Sequence, residues 1–270
     1  MFVTIITDCI DSGTFGRQMT RSASIFGFPP IPVAITPDFV APSDLEAGGH
    51  LIDMLDSSRG SKGIILVNKA PRSGKAKKWK NGTPFGYFWH KDTLIVSSID
   101  GYALSLIKKF QLTDQINVFD IPTVMEFAKS NNLLDTFDAD YVVNTQFRSF
   151  EFLPRVAKWV FDKLAVPTDP LLISDVIDCP LAVFYVDNFG NLKTTVLPQE
   201  ISFEAGKVIN LRGFGELTCY NRLKDLPNGE TGLIIGSSGL KEKRFVEIMT
   251  QGDNAALKFG AKIGDLIEVL

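Results

Sequence analysis

Histidine, cysteine and an excess of either charge are what this sequence has least of. Two histidines and three cysteines occur in 270 residues. Cys9, Cys179 and Cys219 are far apart and odd in number, with no Cys-x-x-Cys pair or Cys/His cluster, so neither a zinc site nor a disulfide framework is expected. Three reduced thiols fit a cytoplasmic protein. His50 falls in a predicted helix and His90 in a predicted hairpin, neither with a serine or cysteine close by in sequence. A Ser-His-Asp or Cys-His site would need long-range assembly. The net charge is only −3, which gives no reason to expect nucleic acid or an anionic membrane as partner. No apolar run reaches the roughly 18 residues of a membrane span. The opening residues, MFVTIITDC, lack the basic and long apolar regions of a secretion signal. No metal and no resident cofactor is expected.

What is present is a large apolar fraction, 45%, enough for a substantial core. Residues 2–7 form a β-branched run ending at Asp8, followed by a helical pattern over 15–26 and a second β-branched run over 32–36. Ser43 reads as the N-cap of the next helix, with Glu46 completing a capping box and Leu45, Ile52 and Leu55 facing the core. Residues 63–67 are a third buried strand. Strand and helix alternate, which predicts an α/β domain with a mostly parallel sheet and helices on both faces. A basic segment over 69–80 precedes a predicted hairpin over 85–97 and helices over 102–110, 123–131 and 152–164. The basic segment reads as a solvated loop.

Pro167, Pro170 and Pro180 punctuate a predicted linker over 167–180, between an N-terminal domain (1–166) and a C-terminal domain (181–270). Beyond the linker, short alternating strands are predicted at 181–186, 192–196, 207–211, 216–220 and 231–235. Their spacing predicts an all-β small barrel or sandwich.

Three places carry residue types suited to a nucleoside ligand. Asp8 ends the first strand, where ligands of open α/β sheets sit, and its carboxylate suits the two hydroxyls of a ribose. As a lone aspartate it equally suits a helix cap. Asp187-Asn188-Phe189-Gly190-Asn191 lies between two strands and has the composition of a hairpin turn. Phe189 also offers a stacking face, Asn191 an amide for an adenine edge, and Asp187 a partner for an ammonium group. Gly236-Ser237-Ser238-Gly239 follows a strand and reads either as a plain turn or as a carboxylate cradle.

In this order the three places resemble the family of S-adenosylmethionine (SAM) hydrolases and SAM-dependent chlorinases and fluorinases. That family opens with Thr-Asp-Phe-Gly, later carries Asp-x-Phe-Gly-Asn, and ends with Ser-Ser-Gly, an acidic-apolar pair and a Gly-Asn-Ala-Ala-like segment. This chain has Thr7-Asp8, Asp187 to Asn191, Ser237-Ser238-Gly239, Glu247-Ile248 and Gly252-Asp253-Asn254-Ala255-Ala256. The resemblance implies an α/β domain followed by a β-barrel. It also implies a homotrimer that binds SAM or adenosine between the N-terminal domain of one subunit and the C-terminal domain of the next. It implies that Asp8 holds the ribose diol, Phe189 and Asn191 serve the adenine, Asp187 the methionine ammonium, and Ser237 or Ser238 its carboxylate, with Ser12 a further substrate-binding residue.

Departures from the family pattern concentrate where the chemistry would be. Cys9-Ile10 replaces Phe-Gly. An Asp, Arg and His set positions water in the family's hydrolases, and Asn68, Lys75 and Phe147 stand in the corresponding places here. Asparagine keeps hydrogen bonding without charge, lysine keeps charge without the planar fork, and phenylalanine exchanges no proton. Asn68, Lys75 and Ser149 are therefore the expected catalytic set, Asn68 and Ser149 by orienting a water. Cleavage of SAM to adenosine and methionine is the first expected function. A protein that keeps the pocket and has lost turnover is the second. An extra stretch over 241–245 is expected to lengthen the loop after the serines.

Overall fold

The computed structural model describes residues 1–37, 42–69 and 82–270. The N-terminal part runs β1 (Phe2–Thr7), α1 (Ser12–Phe26), β2 (Ile31–Ala34), α2 (Ser43–Ser58), β3 (Gly63–Asn68), β4 (Phe85–His90) and β5 (Thr93–Ser98). It continues through α3 (Ser105–Phe110), β6 (Gln115–Val118), α4 (Ile121–Ser130), α5 (Thr136–Asn144), α6 (Arg148–Glu151), α7 (Leu153–Phe161) and β7 (Asp169–Leu172). Among the described residues these strands form one sheet in the order β2-β1-β3-β5-β4-β6-β7.

The expected mostly parallel sheet is mixed instead. Strands β2, β1, β3 and β5 run parallel, whereas β4, β6 and β7 pair antiparallel with their neighbours. Local chain geometry decides this. Only Lys91 and Asp92 separate β4 from β5, and a two-residue connection permits only an antiparallel return. Strand β7 lies inside the predicted linker and pairs with β6.

Helices cover both faces, as the continuous apolar strands require. Val3, Ile5, Ile64, Leu66, Leu94 and Val96 point to one core, filled by Phe26 and the α4 and α7 residues Val124, Met125, Leu153 and Val156. The residues between them in sequence, Ile6, Ile65, Val67 and Ile95, point to a second core with Leu45, Leu51, Ile52 and Leu55 of α2.

Asp11 caps α1 by accepting from the Thr14 N–H at 2.9 Å, and Gly27 closes it at φ 81°. The start of α2 corrects the sequence reading. Ser43 is the first helical residue, buried with its hydroxyl unpartnered among the described residues, and Pro42 is the cap. The Glu46 carboxylate turns back to the Thr36 N–H at 2.9 Å and ties α2 to the segment after β2.

The C-terminal part contains β8 (Val183–Val186), β9 (Leu192–Thr194), β10 (Val208–Leu211), β11 (Gly215–Tyr220), β12 (Thr231–Leu240), β13 (Lys243–Thr250) and α8 (Ala255–Phe259). Its sheet has the order β10-β11-β12-β13-β9-β8. The expected long loop after the serines is a tight turn leading into β13, which pairs with β12. The last residues hydrogen-bond toward both outer strands. Val183 N–H donates to the Asp265 carbonyl on one side, and Leu270 N–H to the Asn210 carbonyl on the other, each at 2.9 Å.

The second core continues into this sheet through Ala182, Phe184, Leu240 and Phe245. Gly49 permits the contact, because a Cβ there would overlap the Phe184 ring. Helix α2 is therefore buried on two sides. Among the described residues no helix is long and apolar enough to cross a membrane.

Candidate functional site

Strand β1 leads to β2 on one side of itself and, through α2, to β3 on the other. The crevice beyond the carboxyl ends of β1 and β3 is thus a topological switch point, the usual ligand position in such sheets. Thr7 and Asn68 are register partners there. The Asn68 amide donates to Thr7 Oγ1 at 3.0 Å and to Cys9 Sγ at 3.4 Å, which uses its N–H groups and leaves Oδ1 as an acceptor.

Asp8 follows, and its carboxylate lies 3.7 Å from Lys69 Nζ; the side chains are 5% and 1% exposed. The Lys69 N–H reaches Ser98 Oγ at the end of β5. Burial, followed by the charge of Asp8, pushes the Cys9 thiol up, so it stays protonated at neutral pH and is a poor nucleophile. The crevice therefore offers hydrogen-bonding groups around a buried ion pair and no free general base among them.

Lys75 lies outside the described residues, as does most of the basic segment. Ser149 is the second residue of α6, half-buried, and its carbonyl accepts from Gln18 Nε2 at 3.4 Å. The adjacent Arg148 reaches the Thr83 carbonyl at 3.0 Å. Ser12 is exposed at the first turn of α1. Phe147 is exposed and stacks on Phe150, with the Arg17 guanidinium 5.3 Å and 4.6 Å from their ring centres.

The second cluster is the turn between β8 and β9. Asp187 Oδ1 accepts from the N–H groups of Phe189 and Asn191 at 2.9 and 3.0 Å, and Oδ2 from the Asn191 amide at 3.0 Å. Gly190, at φ 80°, lies against Asn254, and its carbonyl accepts from the Ala256 N–H at 2.9 Å. Asn254 in turn caps α8 through the Leu257 N–H. The motif is a turn, and the turn holds Phe189 outward. Phe189 is 70% exposed. Neither it nor Asn191 bonds or stacks with any described residue of the N-terminal part. Asn191 keeps one amide N–H and Oδ1 for a ligand edge, and the Asp187 carboxylate keeps one acceptor position.

Ser237 and Ser238 sit within β12, where its pairing with β13 shifts register between Ile235 and Gly239. Ser237 is exposed. Ser238 is 3% exposed, and its hydroxyl donates to Asp53 of α2 at 2.9 Å, beside the Gly239 N–H on the other Asp53 oxygen at 3.0 Å. Burial pushes the Asp53 carboxyl up from its ordinary value, against the pull of these two donors.

Sequence reasoning missed Lys69 as the partner of Asp8 and Asp53 as the partner of Ser238. Lys69 opens a basic run and reads as solvated. Asp53 falls on a helix face that looks solvent-exposed until the second sheet is placed on it.

Comparison with known proteins bears on the second cluster. Residues 181–268 match the family described as SAM hydroxide adenosyltransferase C-terminal domain. No curated protein sequence matches the chain. Among solved structures, an uncharacterized conserved protein from Thermotoga maritima shares the fold over the whole of both chains, with a TM-score of 0.68 at 18% identity. A conserved hypothetical protein from Thermus thermophilus has a TM-score of 0.61 at 12% identity, covering 100% of this chain and 99% of that one. At these identities the likeness is one of fold.

Proposed function

Since residues 181–268 carry a SAM hydroxide adenosyltransferase C-terminal domain, we propose that this chain binds SAM and cleaves it to adenosine and methionine. The observation that carries the reading is Phe189, a large aromatic face held out to solvent by a turn whose Asp187, Gly190 and Asn254 are all committed to keeping it there. Adenine stacks on Phe189 and pairs with the free groups of Asn191. Asp187 and Ser237 take the ammonium and carboxylate of the methionine part. Asp8 takes the ribose diol, which requires the carboxylate to exchange Lys69 for the two hydroxyls.

Phe189 and Asn191 neither hydrogen-bond nor stack with any described residue of their own N-terminal part, which supports an assembly that brings Asp8 from a second subunit, as a homotrimer would. The bonds of residues 265–270 to both outer strands support reading the C-terminal sheet as a small closed barrel.

In the reaction, water attacks the ribose 5′ carbon and a C–O bond forms as the C–S bond breaks. The sulfonium leaves as neutral methionine, and the water proton passes to solvent. A positively charged leaving group makes a strong base unnecessary, so alignment and partial desolvation carry the step. Asn68 Oδ1 holds the attacking water by one of its hydrogens, with Ser149 as its second support and Lys75 supplying charge.

A second reading, binding without turnover, is favoured by the Lys69–Asp8 ion pair and by Phe147 in place of a proton-exchanging group. Calorimetry with SAM and with adenosine, followed by chromatography after long incubation, separates the two. Heat with SAM plus adenosine release supports cleavage. Heat without product supports the second reading, and no heat with either ligand removes both.

A further inference from the structure

At the opposite end of the N-terminal sheet, away from the Asp8 crevice, a cavity of about 480 Å³ opens between the two parts of the chain. Its size is within the range of small-molecule sites, roughly 300–1,000 Å³. Three chain reversals meet there: the end of α2, the β4–β5 turn and the β12–β13 turn. Leu55 and Leu240 form its apolar floor, and Arg59, Lys91, Lys241 and Arg244 line it.

The two lining carboxylates, Asp56 and Glu242, leave a surplus of two positive charges. Asp56 is already engaged, accepting from the Lys241 N–H at 2.7 Å and from Arg244 at 2.9 Å, which clamps the hairpin to the helix. Arg59, Lys91 and Lys241 form no ion pair with any described residue. Burial, then the charges of Lys91 and Lys241, hold His90 below its ordinary value, as expected beside concentrated positive charge.

Backbone conformation adds an independent observation. Arg59, Lys91 and Lys241 have φ of 51°, 55° and 52°. They are three of the seven described non-glycine residues at positive φ, and all three line this one cavity. Helix ends and two-residue hairpins favour glycine or asparagine at such positions. Strain of this kind, concentrated in one place, is a mark of a functional site.

We propose that this cavity binds a diphosphate group, free or as part of a nucleotide, independently of the SAM site. The cations from three separate reversals surround a compact polyanion, and no single helix or loop supplies them.

The test is calorimetry on the full chain with inorganic pyrophosphate and, separately, with ADP. We expect one site per chain, affinity that falls steeply between 50 and 200 mM salt by about an order of magnitude or more, and a roughly tenfold or greater loss with Lys241→Glu. Equal affinities identify the phosphates alone as the ligand. Tighter ADP binding identifies a nucleotide, and either result supports the site. Lys241→Asn is the sharper variant, because asparagine suits the left-handed backbone. It is expected to raise thermal stability while weakening pyrophosphate binding. Absence of heat with both probes, or unchanged affinity in both Lys241 variants, overturns the proposal.

Discussion

Lys193→Met should be among the most destabilising single changes in the C-terminal sheet. Lys193 on β9 and Glu247 on β13 are register partners, with Nζ 2.8 Å from Oε1. Glu247 is 1% exposed and its second oxygen finds no hydrogen-bond partner among the described residues. Gly236 leaves the space for it, since a Cβ there would overlap the carboxylate. The same lysine is one of the charges that favour the ionised form of Asp53. Methionine keeps most of the stem volume and removes the cation.

Breaking a buried ion pair from one side costs about 3–5 kcal/mol. Lys193 is 15% exposed, so the lower end applies, about 3 kcal/mol. Replacing both partners, as in Lys193→Met with Glu247→Leu, should recover most of that loss, to within about 1 kcal/mol of the parent. Urea unfolding followed by tryptophan fluorescence and circular dichroism measures both variants, with coincident curves as the check on a single transition. A Lys193→Met cost below about 1 kcal/mol, or a double variant worse than the single, would refute the reasoning that the pair is desolvated.

Phe189→Ala should change stability by no more than about 0.5 kcal/mol, because the ring is 70% exposed and stacks on no described residue; calorimetry should show SAM binding weakened by tenfold or more if adenine stacks there. Gly190→Ala should lower stability instead. It forces a side chain into a left-handed position and into the Asn254 amide, at a cost of about 2–4 kcal/mol on a melting curve. Asp53→Asn should alter the pH dependence of stability. Burial raises the folded carboxyl, so the native state holds a proton more tightly than the unfolded chain. Wild-type stability therefore falls, relative to the asparagine variant, as pH rises from 3.8 through the raised value. Urea midpoints for both proteins at a series of pH values across that range provide the test, and parallel profiles would remove the assignment.

Much of this was legible from local pattern. β-branched runs ending at Asp8 and Asn68, the alternation of strand and helix, and the turn chemistry of Asp187 to Asn191 are written in neighbouring residues, because strand burial and turn geometry depend on the nearest few positions. Tertiary structure decided the partners. Lys69 reads as solvated until β1 and β3 lie side by side and bury it against Asp8. Ser43 and Glu46 have the spacing of a capping box, yet Glu46 bonds to Thr36 because β2 ends next to α2. Ser238 meets Asp53, and three cations from three reversals share one cavity, only because the second sheet packs on α2. Such pairings join residues up to 188 positions apart in sequence, and no local periodicity records which distant surface will cover a given face.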